Sequence, residues 1–92
     1  MKRLAWDERA INDLIAIADY IAADSPRSAI RVVEYIRAAA LSLEASPELG
    51  MACPEPGVRE FILTRYPYVL VYEILDEEVR ILAVFHHRQQ RR

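Results

Sequence analysis

Val58-Arg59-Glu60-Phe61-Ile62-Leu63-Thr64-Arg65-Tyr66-Pro67-Tyr68-Val69-Leu70-Val71-Tyr72-Glu73-Ile74, followed by Val79-Arg80-Ile81-Leu82-Ala83-Val84-Phe85-His86-His87-Arg88, is the stretch that decides the fold. It reads as three consecutive strands joined by short turns. A two-residue turn at Asp76-Glu77 sets Ile74 opposite Val79, Glu73 opposite Arg80, Tyr72 opposite Ile81 and Tyr68 opposite Phe85. A turn at Arg65-Tyr66 sets Phe61 opposite Leu70 and Leu63 opposite Tyr68. One face then holds Phe61, Leu63, Tyr68, Leu70, Tyr72, Ile74, Val79, Ile81, Ala83 and Phe85, bulky and unbroken, and is expected to meet the rest of the chain. The other holds Glu60, Ile62, Val69, Val71, Glu73, Arg80, Leu82, Val84 and His86. Apolar in its middle and charged at its margins, that second face is expected to dock another chain.

Upstream, the period changes from two to between three and four. Lys2-Arg3-Leu4-Ala5-Trp6 forms a short first strand, and Asp7 is placed to cap a helix in which Ile11, Leu14, Ile17, Ala18 and Ile21 make one stripe. Ser25-Pro26 ends it and starts a second helix, where Ala29, Val33, Ile36, Ala40 and Leu43 line one side. So short a joint makes a helical hairpin, over about residues 7 to 45. Residues 47 to 57 contain three prolines and both glycines, Gly50 and Gly57, and read as a loop crossing from the helices to the sheet. The expected fold is α+β: an N-terminal strand and a helical hairpin packed on a mostly antiparallel sheet whose central strand is Tyr68 to Ile74.

Ninety-two residues fit a single domain, 1–92, and a hydrophobic fraction of 53% with two glycines argues for a packed chain. The formal net charge of -2 gives no global positive field to draw the molecule onto nucleic acid or an anionic membrane. Cys53 is the single cysteine, so no internal disulfide forms and a free thiol is expected; His86 and His87 adjoin each other far from it, leaving no metal-ligand spacing and no cofactor expected. No secretory leader and no apolar run near the ~20 residues of a membrane span is visible, so the expected location is the cytoplasm.

The order strand, helix, helix, strand, strand, strand resembles the RelE/ParE family over essentially the whole chain. The resemblance rests on Ser25-Pro26, on Pro56-Gly57-Val58-Arg59-Glu60, on Tyr66-Pro67-Tyr68 with Tyr72, and on the closing Ile81 to His86 with Arg88. It implies the toxin of a type II toxin–antitoxin pair, associated with plasmid stabilisation and growth arrest, and neutralised by a cognate antitoxin in a hetero-oligomer or beside a homodimer. The family divides in two: members that cut messenger RNA on the ribosome, and ParE-like members that bind DNA gyrase.

RNA cleavage needs a base for the 2′-hydroxyl, an acid for the leaving oxygen and cations for the phosphorane. Glu60 or His86 fits the first two roles, and Arg59, Arg65 or Arg88 the third. Each also has a plain reading, Glu60 and Arg59 as a solvated pair and the others as exposed polar residues at strand ends. Charge favours the ParE-like branch. The chain is net acidic, its only lysine is Lys2, and His87 and Arg88 stand where the resembling nucleases carry a terminal aromatic. The expected antitoxin surface is Val69, Val71, Leu82 and Val84; the expected contacts near the C-terminus are His86, Arg88, Arg91 and Arg92, the last two serving solubility or meeting an acidic antitoxin segment. A third reading is a relative that forms the complex without toxicity.

Overall fold

In a computed structural model the chain is described over residues 1–88. Strand β1 (Arg3–Trp6) leads into helices α1 (Glu8–Ala22) and α2 (Pro26–Leu41), then strands β2 (Met51–Ala52), β3 (Val58–Ile62), β4 (Tyr68–Ile74) and β5 (Glu78–His86). They form one five-stranded sheet in the order β1-β5-β4-β3-β2. β1 runs parallel to β5 and every other pairing is antiparallel. The expected α+β architecture is therefore present, with β4 at the centre. The loop of residues 47–57 holds more than expected, a single 3₁₀ turn at Pro47–Leu49 and the short strand β2.

The helices begin where the sequence allows. Ser25 caps α2, its hydroxyl accepting the Ser28 amide at 3.2 Å, and Pro26 takes the first helical position, where no amide is needed. Asp7 does occupy the cap position of α1, yet its carboxylate makes no capping bond. It is turned toward Arg80, 3.8 Å away, while the Asp7 backbone amide donates to the Ile81 carbonyl at 2.8 Å.

The core lies between the hairpin and one sheet face. Ala10, Ile36, Ala40, Leu43, Leu70, Tyr72, Val79 and Ile81 are all fully buried. The small Ala10 lets the α1 backbone come close to β5, Ala40 of α2 is buried in the same core, and the bulky residues of β4 and β5 fill the space beneath the hairpin. Phe61 pairs with Leu70, and Ile74, Glu73 and Tyr72 pair with Val79, Arg80 and Ile81, as the turns predict.

Past Ile81 the register departs from expectation. Tyr72 pairs with Ile81 but Val71 pairs with Ala83, so Leu82 is an extra residue, a β-bulge, and Tyr68 meets His86 in place of Phe85. Because faces alternate along a strand, one inserted residue exchanges every face after it. Val84 and His86 belong to the helix side, and Ala83 and Phe85 to the outside, the reverse of the sequence assignment. Val84 is 3% exposed and part of the core.

The bulge sits where β5 changes neighbour. β1 ends at Trp6 opposite Ile81, and α1 runs alongside from there. The Val84 amide donates instead to the Asp13 carboxylate on α1, at 3.0 Å. On the outer edge of β1 the Leu4 amide is likewise taken by the Glu44 carboxylate, at 2.8 Å. Edge amides are thus satisfied by acidic side chains, which also blunts edge-to-edge pairing.

Two substitutions test this account. Leu70→Asp places an unpaired charge in a fully buried position and is expected to abolish the cooperative melt, since the cost of several kcal/mol rivals a total stability of ~5–15 kcal/mol. Asp13→Ala orphans the Val84 amide and should cost about 1–3 kcal/mol, whereas Asp13→Asn, which keeps an acceptor, should lose less. Denaturant titration of both Asp13 variants checks the ranking; equal losses would remove the edge-capping role.

Candidate partner-binding face

The outer sheet face is built in rows. Glu60, Val71 and Ala83 lie side by side across β3, β4 and β5, and Ile62, Val69 and Phe85 form the next row. Val69 at the centre is only 3% exposed, and the accessible floor is Val71, Leu82, Ala83 and Phe85. Two walls rise from it. α1 supplies Arg9, Asp13 and Ala16 on one side, and the loop before β3 supplies Cys53 and Glu55 on the other. Together they enclose an open groove of about 710 Å³, ample for a peptide segment.

The loop wall has a definite cause. The Val58 amide donates to the Glu55 carbonyl across Pro56-Gly57, and Gly57 has φ of 80°, a combination fitting a type II turn with proline and glycine at its centre. Farther back, the Tyr72 hydroxyl donates to the Pro47 carbonyl and accepts the Gly50 amide at 2.9 Å, while the Arg59 guanidinium donates to the Gly50 carbonyl at 2.6 Å. Gly50 fits this corner because a Cβ there would lie 2.7 Å from the Glu60 carbonyl oxygen and 2.8 Å from the Tyr72 hydroxyl. Burial pushes the Tyr72 phenol above its ordinary pKa, so the group stays a donor.

The groove is acidic. Among the described residues Asp13, Glu55 and Glu60 line it with the guanidinium of Arg9, which lies 3.7 Å from Asp13. Of the candidate catalytic residues Glu60, Arg59, Arg65, His86 and Arg88, Glu60 is the one that lines the groove. Arg59, the next residue on the same strand, points to the opposite face and is engaged by Gly50. Arg65 sits in the β3–β4 turn: its amide donates to the Tyr35 hydroxyl at 3.1 Å, which lowers that phenol's pKa, and its guanidinium lies 5.8 Å from the centre of the Tyr66 ring.

His86, carried across by the bulge, stacks edge-on against Tyr68 at 5.3 Å beside Ala16, Ile17 and Tyr20 of α1. Its Nδ1 accepts the Arg88 amide at 3.0 Å. His86 and Arg88 are thereby brought together, while Glu60 lies across the sheet from both Arg59 and His86. Arg91 and Arg92 fall outside the described residues. Among the described residues no group of three or more His, Cys, Asp or Glu is disposed to hold a metal, and no helix is long and apolar enough to cross a membrane.

Groove residues that the sequence does not place on this face are Arg9, Asp13, Ala16, Cys53, Glu55, Ala83 and Phe85. Ala83 and Phe85 required the bulge, for which no residue pattern gave notice. Asp13 carried a weak signal, a carboxylate three residues from Ala10 and four from Ile17, at the margin of the apolar stripe of α1.

Known proteins share this arrangement over nearly its full length. Residues 4–91 match the family described as the ParE toxin of the type II toxin–antitoxin system parDE. Toxin RelE2 of Caulobacter vibrioides is 37% identical over 86 residues, 94% of this chain and 96% of its own. Y4kP of Sinorhizobium fredii is 38% identical over 89 residues, 97% of this chain and 92% of its own. Among solved structures, a chain of the chromosomal ParDE system from P. aeruginosa superposes with a TM-score of 0.81 at 29% identity, covering 94% of this chain and 96% of that one. The isolated E. coli RelE toxin superposes with a TM-score of 0.71 at 22% identity, covering 98% of this chain and 88% of that one, a likeness of fold.

The Tyr72 corner is open to direct test. Tyr72→Phe removes both hydroxyl bonds in a buried setting and should cost about 1–3 kcal/mol, a fall in melting temperature of roughly 5–20 °C for a domain of this size. A thermal melt that does not move would show that the corner carries no stability.

Proposed function

Because this chain belongs to the ParE toxin family, within the RelE/ParE superfamily of type II toxin–antitoxin systems, we propose that it is a ParE-like toxin that acts by binding DNA gyrase and performs no chemistry of its own. The observation that carries the reading is the separation of Glu60 from His86 and Arg59 by the thickness of the sheet. Proton transfer to and from one phosphodiester requires base and acid within hydrogen-bond reach of the same substrate. Arg59, the cation nearest in sequence to Glu60, donates to the Gly50 carbonyl.

Electrostatics points the same way. Among the described residues the groove that holds Glu60 is lined by three carboxylates and one guanidinium, and such a lining repels the phosphates a ribosome-bound messenger would bring. A cognate antitoxin fits the groove as its neutralising occupant, with contacts on Val71, Leu82, Ala83 and Phe85. The target contact falls at the far end of β5, on His86 and Arg88 with Arg91 and Arg92 following, in the cytoplasm where gyrase works. A ribosome-dependent nuclease is kept as the second reading by one fact, the 37% identity to a protein named Toxin RelE2.

Purified protein is expected to inhibit gyrase supercoiling while messenger RNA in a translation reaction stays intact. Arg88→Glu should weaken that inhibition at least about tenfold, by placing a like charge on a steered contact, and should leave antitoxin binding unchanged. Site-specific cleavage of the messenger by wild-type protein, with supercoiling unaffected, would replace this reading with the nuclease.

A further inference from the structure

We propose that the segment seated in the outer groove is basic and aliphatic, with arginine or lysine side chains meeting Glu55, Glu60 and Asp13 while apolar side chains lie on Val71, Ala83 and Phe85. The inference rests on the antitoxin reading above and specifies the chemistry of that partner. It follows from how the groove is made. Its floor is aliphatic and aromatic and its rim is acidic on both walls, Asp13 from α1 and Glu55 from the Pro56-Gly57 turn, with Glu60 between.

The acidic character belongs to the walls and is fixed there by separate devices. Asp13 is held by the Val84 amide it accepts, at 3.0 Å, so it stays at the rim even where Arg9 turns away. Glu55 is exposed, and its backbone carbonyl closes the turn by accepting the Val58 amide at 3.2 Å. Glu60 is held by its place in β3, between Met51 of β2 and Val71 of β4. An acidic segment, or the phosphates of a nucleic acid, would face like charge at Glu55 and Glu60, and at Asp13 a carboxylate that already has Arg9 at 3.7 Å. A cationic segment meets opposite charge there and gives up only its exposed hydration at the rim.

The test uses the purified full chain and three fluorescent probes of equal length. One peptide alternates leucine or valine with arginine, a second replaces each arginine by glutamate, and the third probe is a single-stranded RNA. Binding is read by anisotropy at low and high salt. The arginine peptide is expected to bind wild-type protein, to weaken several-fold as salt rises, and to weaken at least about tenfold on the Glu55→Lys, Glu60→Lys variant, which should in turn gain the glutamate peptide. A milder Glu55→Gln, Glu60→Gln variant should fall between, and it carries the test if the lysine pair does not fold by circular dichroism.

Equal binding of the arginine peptide to wild type and variants, no binding to wild type, or preference of wild type for the RNA or the glutamate peptide overturns the inference. So does self-association of the wild-type chain that the arginine peptide cannot displace, which would give the groove to a second copy. The cognate antitoxin is titrated in parallel. Unweakened binding of that antitoxin to the lysine variant overturns the charge assignment and leaves the toxin reading standing, whereas no binding to wild type removes both.

Discussion

The rest of the structure depends on what happens to the backbone at Ile81. Up to that residue β5 has β1 on its outer side, and there the Asp7 amide closes the last bond by donating to the Ile81 carbonyl at 2.8 Å. Beyond it the parallel partner is gone and α1 stands alongside, whose backbone bonds are already used within the helix. An amide on a sheet edge must still find an acceptor or water. The strand inserts Leu82, and the Asp13 carboxylate takes the Val84 amide. A single handover from strand to helix thus decides which side of the sheet every later residue of β5 addresses.

The make-up of the outer face follows from that decision. Without the extra residue, His86 would share a face with Glu60, and the chain would hold a carboxylate and an imidazole on one surface. With it, the imidazole packs on Tyr68 beside α1, and the place it would have taken outside belongs to Ala83 and Phe85. What remains is an apolar floor with acidic walls. Such a surface has the make-up of a docking face for another chain, which is the basis of the function proposed above.

Much of the fold was legible in the sequence because its local rules agree with one another. Ser25-Pro26 marks the hairpin, the three-to-four spacing of Leu14, Ile17 and Ile21 marks the buried side of α1, and the turn at Asp76-Glu77 sets the register of Ile74 with Val79. The short strand β2 was not legible, since two residues carry no period and Met51-Ala52 pair only by lying against Arg59 and Glu60. Nor was the bulge, because Ile81-Leu82-Ala83-Val84-Phe85 is apolar at every position and a slip by one residue leaves the pattern equally acceptable. The candidate site suffered most from this. Residues ahead of the slip, Glu60 and Val71, were placed correctly, while Val84 and His86, after it, were placed on the wrong face.

The corner made by Tyr72, Gly50 and Arg59 bears on more than stability. It ties the loop that carries Cys53 and Glu55 to the central strand through a buried hydroxyl and a guanidinium, so one wall of the groove is anchored in the core before any partner arrives. Ordering a loop at the moment of association subtracts from affinity, and a loop already ordered avoids that loss. The entropy of association then falls almost wholly on the incoming segment. Changes at Gly50 or Tyr72, whose contacts lie behind the groove lining, would accordingly be read out as faster dissociation of a bound partner, a kinetic signature of lost preorganisation.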